Sequence, residues 1–365
     1  MPKLERIYLD HAASAPIHSA AKMAFMEGMD RWANPSSPHL DGRDARALME
    51  NARTRMKEAL NWDGDIIITG GASEAINMVF NRAKVDRYIV SPMEHDAVLR
   101  AGKGSAVLAV DLDGNIVAES VKRALASEAA GESKALVAVQ SVNNETGLVQ
   151  DLDRIGSIVR DTGGVFFADC AQSAGKIPLP DADFISISGH KFGGPPGVGA
   201  LLVRDLALIE ATGGQEKGYR TGTENLPAVL SMAAALETSK SWLERAADLR
   251  GHLDKAIKAA GGEIVAEHSK RIETISGYRM PGVAASAQLI QFDMAGISVS
   301  AGSACSSGTL KASHVLTAMG WDEKAAGEVV RVSIGPETSR AHIYRFLEVW
   351  QSMFARAKQN AGAAA

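Results

Sequence analysis

Lys191 lies in Ser188-Gly189-His190-Lys191-Phe192-Gly193-Gly194, just past the apolar run Phe184–Ser188 and ahead of a Gly/Pro turn. Desolvation and a nearby cation lower an amine's pKa, and a neutral lysine can then attack an aldehyde to form a Schiff base. The alternative is a solvated loop lysine, the common fate of this residue. Four more polar clusters follow apolar runs in the same way. Ile66–Thr69 leads into Gly70-Gly71-Ala72-Ser73-Glu74, and Tyr88–Ser91 into Met93-Glu94-His95. Ala135–Val139 runs on to Asn143-Asn144-Glu145, and Val165–Asp169 ends at Asp169-Cys170-Ala171-Gln172.

Each cluster has its own chemistry. Two glycines before Ser73 allow a tight turn, and the free amides of a helix start can hold a phosphate; a plain Ser N-cap is the alternative. Asp169 ends an apolar strand, where a carboxylate needs a cation or strong donors. A protonated pyridine nitrogen is such a cation, and a helix cap for the DCAQS turn is the other reading. His95 is able to stack on a flat cofactor and shuttle protons, or simply to close a strand end.

The elements that must position these residues read as alternating strand and helix. Apolar runs at Ile66–Thr69, Tyr88–Ser91, Ala106–Val110, Ala135–Val139, Val165–Asp169, Phe184–Ser188 and Gly199–Val203 suit a sheet covered on both faces. Helical spacing fills the intervals, as at Arg43–Leu60 and Asp153–Arg160. This pattern predicts a large, doubly wound, mostly parallel α/β domain, whose ligands bind outside the carboxyl ends of the strands. After Thr223 the pattern changes. A long helix is expected over about Pro227–Ala260, then strands near Glu263–Ala266 and Gln288–Phe292, a Gly/Ser loop at Ser300–Gly308, and a last helix at about Ser339–Lys358. These make a smaller α+β domain. The expected division is residues 15–250 for the large domain, and 1–14 with 251–365 for the small one.

Composition narrows the classes. Over 365 residues the formal net charge is −4, which gives no footprint for nucleic acid or an anionic membrane. The N-terminus has no signal-peptide segment and no apolar run spans a bilayer, so a cytosolic location is expected. Two cysteines build no disulfide framework. The histidines are scattered and no Cys/His pair has ligand spacing, so no metal site is expected. No GxGxxG follows a first strand, which argues against a dinucleotide site.

The ordered set YLDHAASAP, ANPSS, TGGASE, MEHDAV, VNNETG, DCAQS, SGHKFGGPPGVG, GGQEKGYRTGTEN, GSACSSG and VRVSIG resembles the cysteine desulfurases of the NifS/IscS type. These lie within the class V aminotransferase group of fold-type I enzymes that use pyridoxal 5'-phosphate (PLP). The resemblance runs from Tyr8 to about Gly335. It implies that Lys191 joins the coenzyme's aldehyde, and that Ala72, Ser73, Ser188 and His190 bind the phosphate together with the partner's Thr223. It implies that Asp169 pairs with the pyridine nitrogen, that Gln172 and Asn144 contact the ring oxygen, and that His95 stacks on the ring. Asn34 and Arg331 would hold the substrate carboxylate, and Cys305 would accept sulfur. The resemblance also implies a homodimer with shared sites.

Three features depart from the family pattern. Ser73 stands where Thr is usual, which keeps a hydroxyl. The stretch after Cys305 reads SSGTL. The chain ends soon after its last expected helix, whereas the resemblance implies a longer tail that docks an iron–sulfur scaffold, so such a scaffold is one acceptor the resemblance leaves open.

Cys305 selects the reaction. It lies in a run of small residues, Ser300–Gly308, suited to carrying a thiol in and out. Its thiolate is a nucleophile for sulfur. Cys170, beside Asp169, reads as a packed residue. The expected reaction converts L-cysteine to L-alanine, with sulfur left as a persulfide on Cys305 and passed to an acceptor protein. The rival readings are a selenocysteine lyase or another class V lyase or aminotransferase, and a catalytically silent interaction protein of the same fold.

Overall fold

A computed structural model describes residues 6–126, 133–238, 240–302 and 313–363, with the backbone alone for 360–363. Seven strands form one sheet in the order Asp65–Thr69, Gly199–Val203, Phe184–Ser188, Val165–Asp169, Ala135–Gln140, Arg87–Val90 and Ala106–Val107. Gly199–Val203 pairs antiparallel with both neighbours, and the pairs from Phe184–Ser188 to Ala106–Val107 are parallel. Two antiparallel steps restore direction, so Asp65–Thr69 also ends on the edge where the parallel strands end.

The near-continuous apolar runs are explained by burial on two sides. Along Ala135–Gln140, Val137 and Val139 face one core while Leu136 and Ala138 face another. Each buried aliphatic side chain contributes roughly 1.5–3 kcal/mol over exposure. The helices Leu40–Leu60 and Leu226–Leu236 lie over the first core, and Ala72–Arg82 lies over the second.

A third core belongs to a four-stranded antiparallel sheet ordered Ser300–Ala301, Val329–Ser333, Ile275–Arg279, Glu263–Ile264. The helices Trp242–Ala260, Ala285–Met294 and Arg340–Ala363 pack on it, with Phe292 stacked on Phe346 at 4.7 Å. The chain's first strand, Ile7–Tyr8, pairs in parallel with Ile297–Ser298. Leu9 bonds on to Ser298 and Ser333, and the turn Asp10–Ala13 then crosses to the carboxyl edge of the large sheet. That crossing sets the site.

Several expectations change. Gln288–Phe292 is helical, not a strand, because Gln288 donates its amide to the Val283 and Glu328 carbonyls and Phe292 enters the small core. The single helix expected over Pro227–Ala260 is two, Leu226–Leu236 and Trp242–Ala260. Glu237 is the C-cap of the first, its backbone still helical and its side chain paired with Arg55. Ile275–Arg279 and Val329–Ser333 are strands that the apolar pattern did not single out. Among the described residues no helix is long and apolar enough to cross a membrane, and no group of His, Cys, Asp and Glu is placed to hold a metal.

Candidate active site

The strand-end clusters meet around a cavity of about 530 Å³, lined by Ala72, Ser73, His95, Asn144, Asp169, Gln172, Ser188, His190 and Lys191. That size lies within the usual range for small-molecule sites, roughly 300–1,000 Å³. At one end, Thr69 runs into Gly71, which is the N-cap of the helix Ala72–Arg82 with φ 150°. Ser73 is therefore inside the first turn rather than at the cap, and the first amides of the helix are left for a ligand. Gly199 makes this turn possible, since a Cβ there would meet the Gly71 Cα at 2.6 Å and the Ile187 carbonyl at 2.5 Å.

On the floor, Asp169 accepts at Oδ1 from the Ala171 amide (3.0 Å) and the Ser186 hydroxyl (2.9 Å). The carboxylate thus caps its own turn and still lines the cavity. Gln172 donates to the Ala12 carbonyl at 2.9 Å, and its Oε1 is buried without a partner. His95 Nδ1 accepts from the Ala97 amide at 3.1 Å, which leaves Nε2 as the proton-bearing nitrogen. Burial lowers its pKa. The cap and the cavity wall are compatible uses of the same ring.

Lys191 sits in the turn Gly189–Lys191 and donates to the Ala12 carbonyl (2.7 Å) and the Ala13 carbonyl (3.0 Å). Burial, helped by Arg331, pulls its pKa down to about 8. Near neutrality a fraction of this amine is therefore free base. His190 is held neutral by burial and Lys191, at about 4. Behind Lys191 lies a second cavity of about 40 Å³, room for roughly one water.

Arg331 adjoins the cavity without lining it. Its Nη1 donates to the Asn144 carbonyl at 2.9 Å and its Nη2 to Asp10 at 2.8 Å. The strand carrying it is bonded through Ser300 to the stem of the segment that bears Cys305. The far stem is tied down as well: Ser313 donates to Glu145 at 2.5 Å, and His314 Nε2 to the Glu94 carbonyl at 2.9 Å. Cys305 itself lies outside the described residues.

Asn34 and Thr223 are not brought to this cavity. Asn34 is exposed and caps its own loop by accepting from the Ser36 amide at 2.9 Å. Thr223 is exposed on the loop before Asn225. Asp10, Glu94, and the Ala12 and Ala13 carbonyls were not singled out from sequence. Asp10 and both alanines stand in the YLDHAASAP motif, which was the available signal. Glu94 is fully buried with Oε2 unpartnered, and burial pushes its carboxyl well above the usual range. Cys170 is also fully buried, its thiol pushed up to about 12.

A lysine, a helix-start turn, a floor carboxylate and a wall imidazole thus line one cavity at the carboxyl edge of an α/β sheet. The family model "Aminotransferase class-V" matches residues 7–346, and the chain belongs to that family. It is 34% identical over 393 residues to the IscS-like cysteine desulfurase of Mycobacterium tuberculosis, which covers 98% of each chain. Cysteine desulfurase IscS 1 of Archaeoglobus fulgidus is 34% identical over 376 residues, covering 96% of this chain and 97% of that one. The structure of a NifS-like protein from Rickettsia africae superposes with TM-score 0.86 at 30% identity, over 96% of this chain and 100% of the other. A structure titled "SspA in complex with cysteine" matches with TM-score 0.77 at 27% identity, over 91% and 100%. The architecture is that of the fold-type I PLP-dependent enzymes.

Proposed function

We propose that this chain is a cysteine desulfurase that holds pyridoxal 5'-phosphate on Lys191 and takes sulfur from L-cysteine onto Cys305. The observation that carries the reading is the amine of Lys191, pulled down to about 8 and set in one cavity with the cradle at Gly71–Ser73, Asp169 and His95. The donor set fits the coenzyme. Helix-start amides with Ser73, Ser188 and His190 suit its phosphate, and Asp169 suits a protonated ring nitrogen. Gln172, with a buried oxygen left unpaired, has amide capacity to spare. His95 supplies a flat face.

When bound, PLP supplies the electron sink that loosens first the α-proton and then the carbon–sulfur bond of the substrate. The chain's own groups do the rest. Arg331 holds the substrate carboxylate with charge-assisted bonds and so orients the α-proton toward Lys191. The free amine of Lys191 takes that proton at Nζ. The Cys305 thiolate attacks the substrate sulfur; the S–S bond forms as the C–S bond breaks, and the electron pair stays with the carbon, which is protonated to alanine. The persulfide on Cys305 then passes to an acceptor protein.

A homodimer with shared sites is part of this reading. Thr223 is exposed and away from its own cavity. Met23, Met26, Met29 and Trp32 on and after the helix Ser19–Asp30 leave an apolar stripe in solvent, as does Leu40 nearby. The division into a large and a small domain belongs to the proposal too, although the helix Trp242–Ala260 packs as a whole on the small core and so belongs with that domain rather than being cut at residue 250.

The test is incubation of the purified protein with L-cysteine, reading alanine and protein-bound persulfide together. Equal amounts of both are expected. Alanine without persulfide would favour a lyase, and neither product would sink the assignment.

A further inference from the structure

The loop from Gly213 to Asn225, which carries Thr223, folds back onto its own subunit's phosphate cradle through two side chains. The first is Glu216. Its carboxylate accepts from Arg53 Nη1 (2.9 Å) and Nη2 (3.2 Å) and from the Ile68 amide (2.8 Å). Arg53 Nη1 also donates to the Ile66 carbonyl. Both partners are nearly inaccessible, with side chains 10% and 1% exposed. Ile66 and Ile68 belong to Asp65–Thr69, the outermost strand of the large sheet. The ion pair therefore takes backbone groups that a further strand would otherwise take. This strand runs directly into Gly70 and Gly71.

The second is Arg220. Its Nε donates to Glu74 Oε1 at 2.8 Å and its Nη2 to Oε2 at 3.4 Å, while Oε2 also accepts from the Gly70 amide at 2.5 Å. Glu74 lies in the first turn of the cradle helix. At the far end of the same helix, Arg82 donates to the Thr212 hydroxyl (2.9 Å) and the Tyr219 carbonyl (3.0 Å). Cradle and loop are thus bonded at the outer strand, at the helix start and at the helix end. The loop is also held in an unfavourable shape, since Glu216 and Lys217 have φ of 51° and 57°. Non-glycine residues adopt that conformation when the surroundings impose it. Lys217 adds an ion pair to Asp65.

We propose that Glu216 and Arg220 are positioning residues for coenzyme binding in the opposite subunit: they lock the loop to its own cradle so that Thr223 is presented at a fixed place to the partner's phosphate. The proposal rests on the shared-site dimer put forward above. Neither group lines the cavity of its own subunit, and although both brace that subunit's cradle, a role in presenting Thr223 must also appear in trans.

Mixed dimers separate cis from trans. One subunit carries Lys191→Ala, so that only the other can hold pyridoxal phosphate covalently, and two affinity tags isolate the mixed species. The dissociation constant of the covalent site is read by absorbance titration, and amide exchange of residues 213–223 is followed in the coenzyme-free dimer. Arg220→Ala on the Lys191→Ala subunit should weaken the covalent site of its partner about tenfold, as expected for loss of one hydrogen bond to a charged group. Glu216→Gln should act in the same direction, and Arg220→Lys should restore part of the affinity. Exchange in the loop should quicken with Arg220→Ala.

Thr223→Val on the Lys191→Ala subunit is the reference. If it weakens the partner's site while the Arg220 and Glu216 variants do not, the clamp is overturned and the shared site stands. If Thr223→Val has no effect in trans, the shared site falls and the clamp with it. An Arg220→Ala effect confined to the subunit that carries it, or unchanged loop exchange, also overturns the proposal. Should Arg220→Ala chains fail to assemble, Glu216→Gln and Arg220→Lys decide the matter, because both keep the side-chain volume.

Discussion

The half of the cavity made by the large sheet and the half made by the N-terminal turn and the four-stranded sheet differ in how many parts of the chain each requires. Ser73, Asp169, Ser188 and Lys191 all end or follow strands of one sheet with continuous cores on both faces. The other half depends on contacts between residues far apart in the chain. Arg331 meets Asp10 across 321 positions, and Lys191 meets the Ala12 carbonyl across 179. The first half is a property of one folded layer. The second exists only when two cores dock, and both halves set the Lys191 amine: burial and Arg331 lower it, while Asp169 from the sheet half and Asp10 from the docked half raise it.

The sharpest break between the halves should come from Cys305→Ser. It should lower alanine and persulfide formation by roughly three orders of magnitude or more, since it removes the nucleophile. The coenzyme's absorbance should stay as in wild type, because the sheet half is untouched; parallel loss of absorbance would show that the halves are not separable. Next in size is Arg331→Gln. Loss of a charge-assisted carboxylate contact should raise KM for L-cysteine about 10- to 100-fold. It also removes a positive neighbour of Lys191, so the amine should titrate higher.

That shift has a readout before catalysis begins. Coenzyme-free protein captures pyridoxal phosphate through the neutral amine, so capture trapped by borohydride should rise with pH and reach half-maximum near the amine's pKa of about 8. In Arg331→Gln the midpoint should move to higher pH. In Asp10→Asn, which removes a charge that raises the pKa, it should move lower, with KM rising by only about threefold as Arg331 keeps its Asn144 carbonyl. A midpoint that ignores both substitutions would mean that burial alone sets the amine.

The smallest effect is expected of Cys170→Ala. This thiol is fully buried and pushed up to about 12, so persulfide formation should be unchanged and stability should fall by about 1 kcal/mol. A labelled persulfide on Cys170 would contradict its inertness.

The strand-end clusters were legible because strands buried on two faces read as unbroken apolar runs, and the residues just past such a run lie at the edge of the sheet. The helix Ala285–Met294 was misread for the opposite reason. Its apolar residues are spread around the axis, Ile290 and Met294 being exposed while Phe292 is buried, and a five-residue window fits either period. Ser73 was placed near the helix start, although the cap belongs to Gly71, whose backbone conformation no composition rule supplies.

From the linear chain alone came the chemical inventory and the edge on which it collects: an amine, a carboxylate, an imidazole and a phosphate turn, each after an apolar strand. Side-chain identity and periodicity are local properties, so they are readable without coordinates. The docking of the N-terminal turn supplied the pairing of Arg331 with Asp10 and the carbonyls that hold Lys191, and only the folded chain showed Asn34 and Thr223 away from their own cavity. Ionisation depends on which distant groups remove water and add charge, and those distances do not exist until the two cores have met.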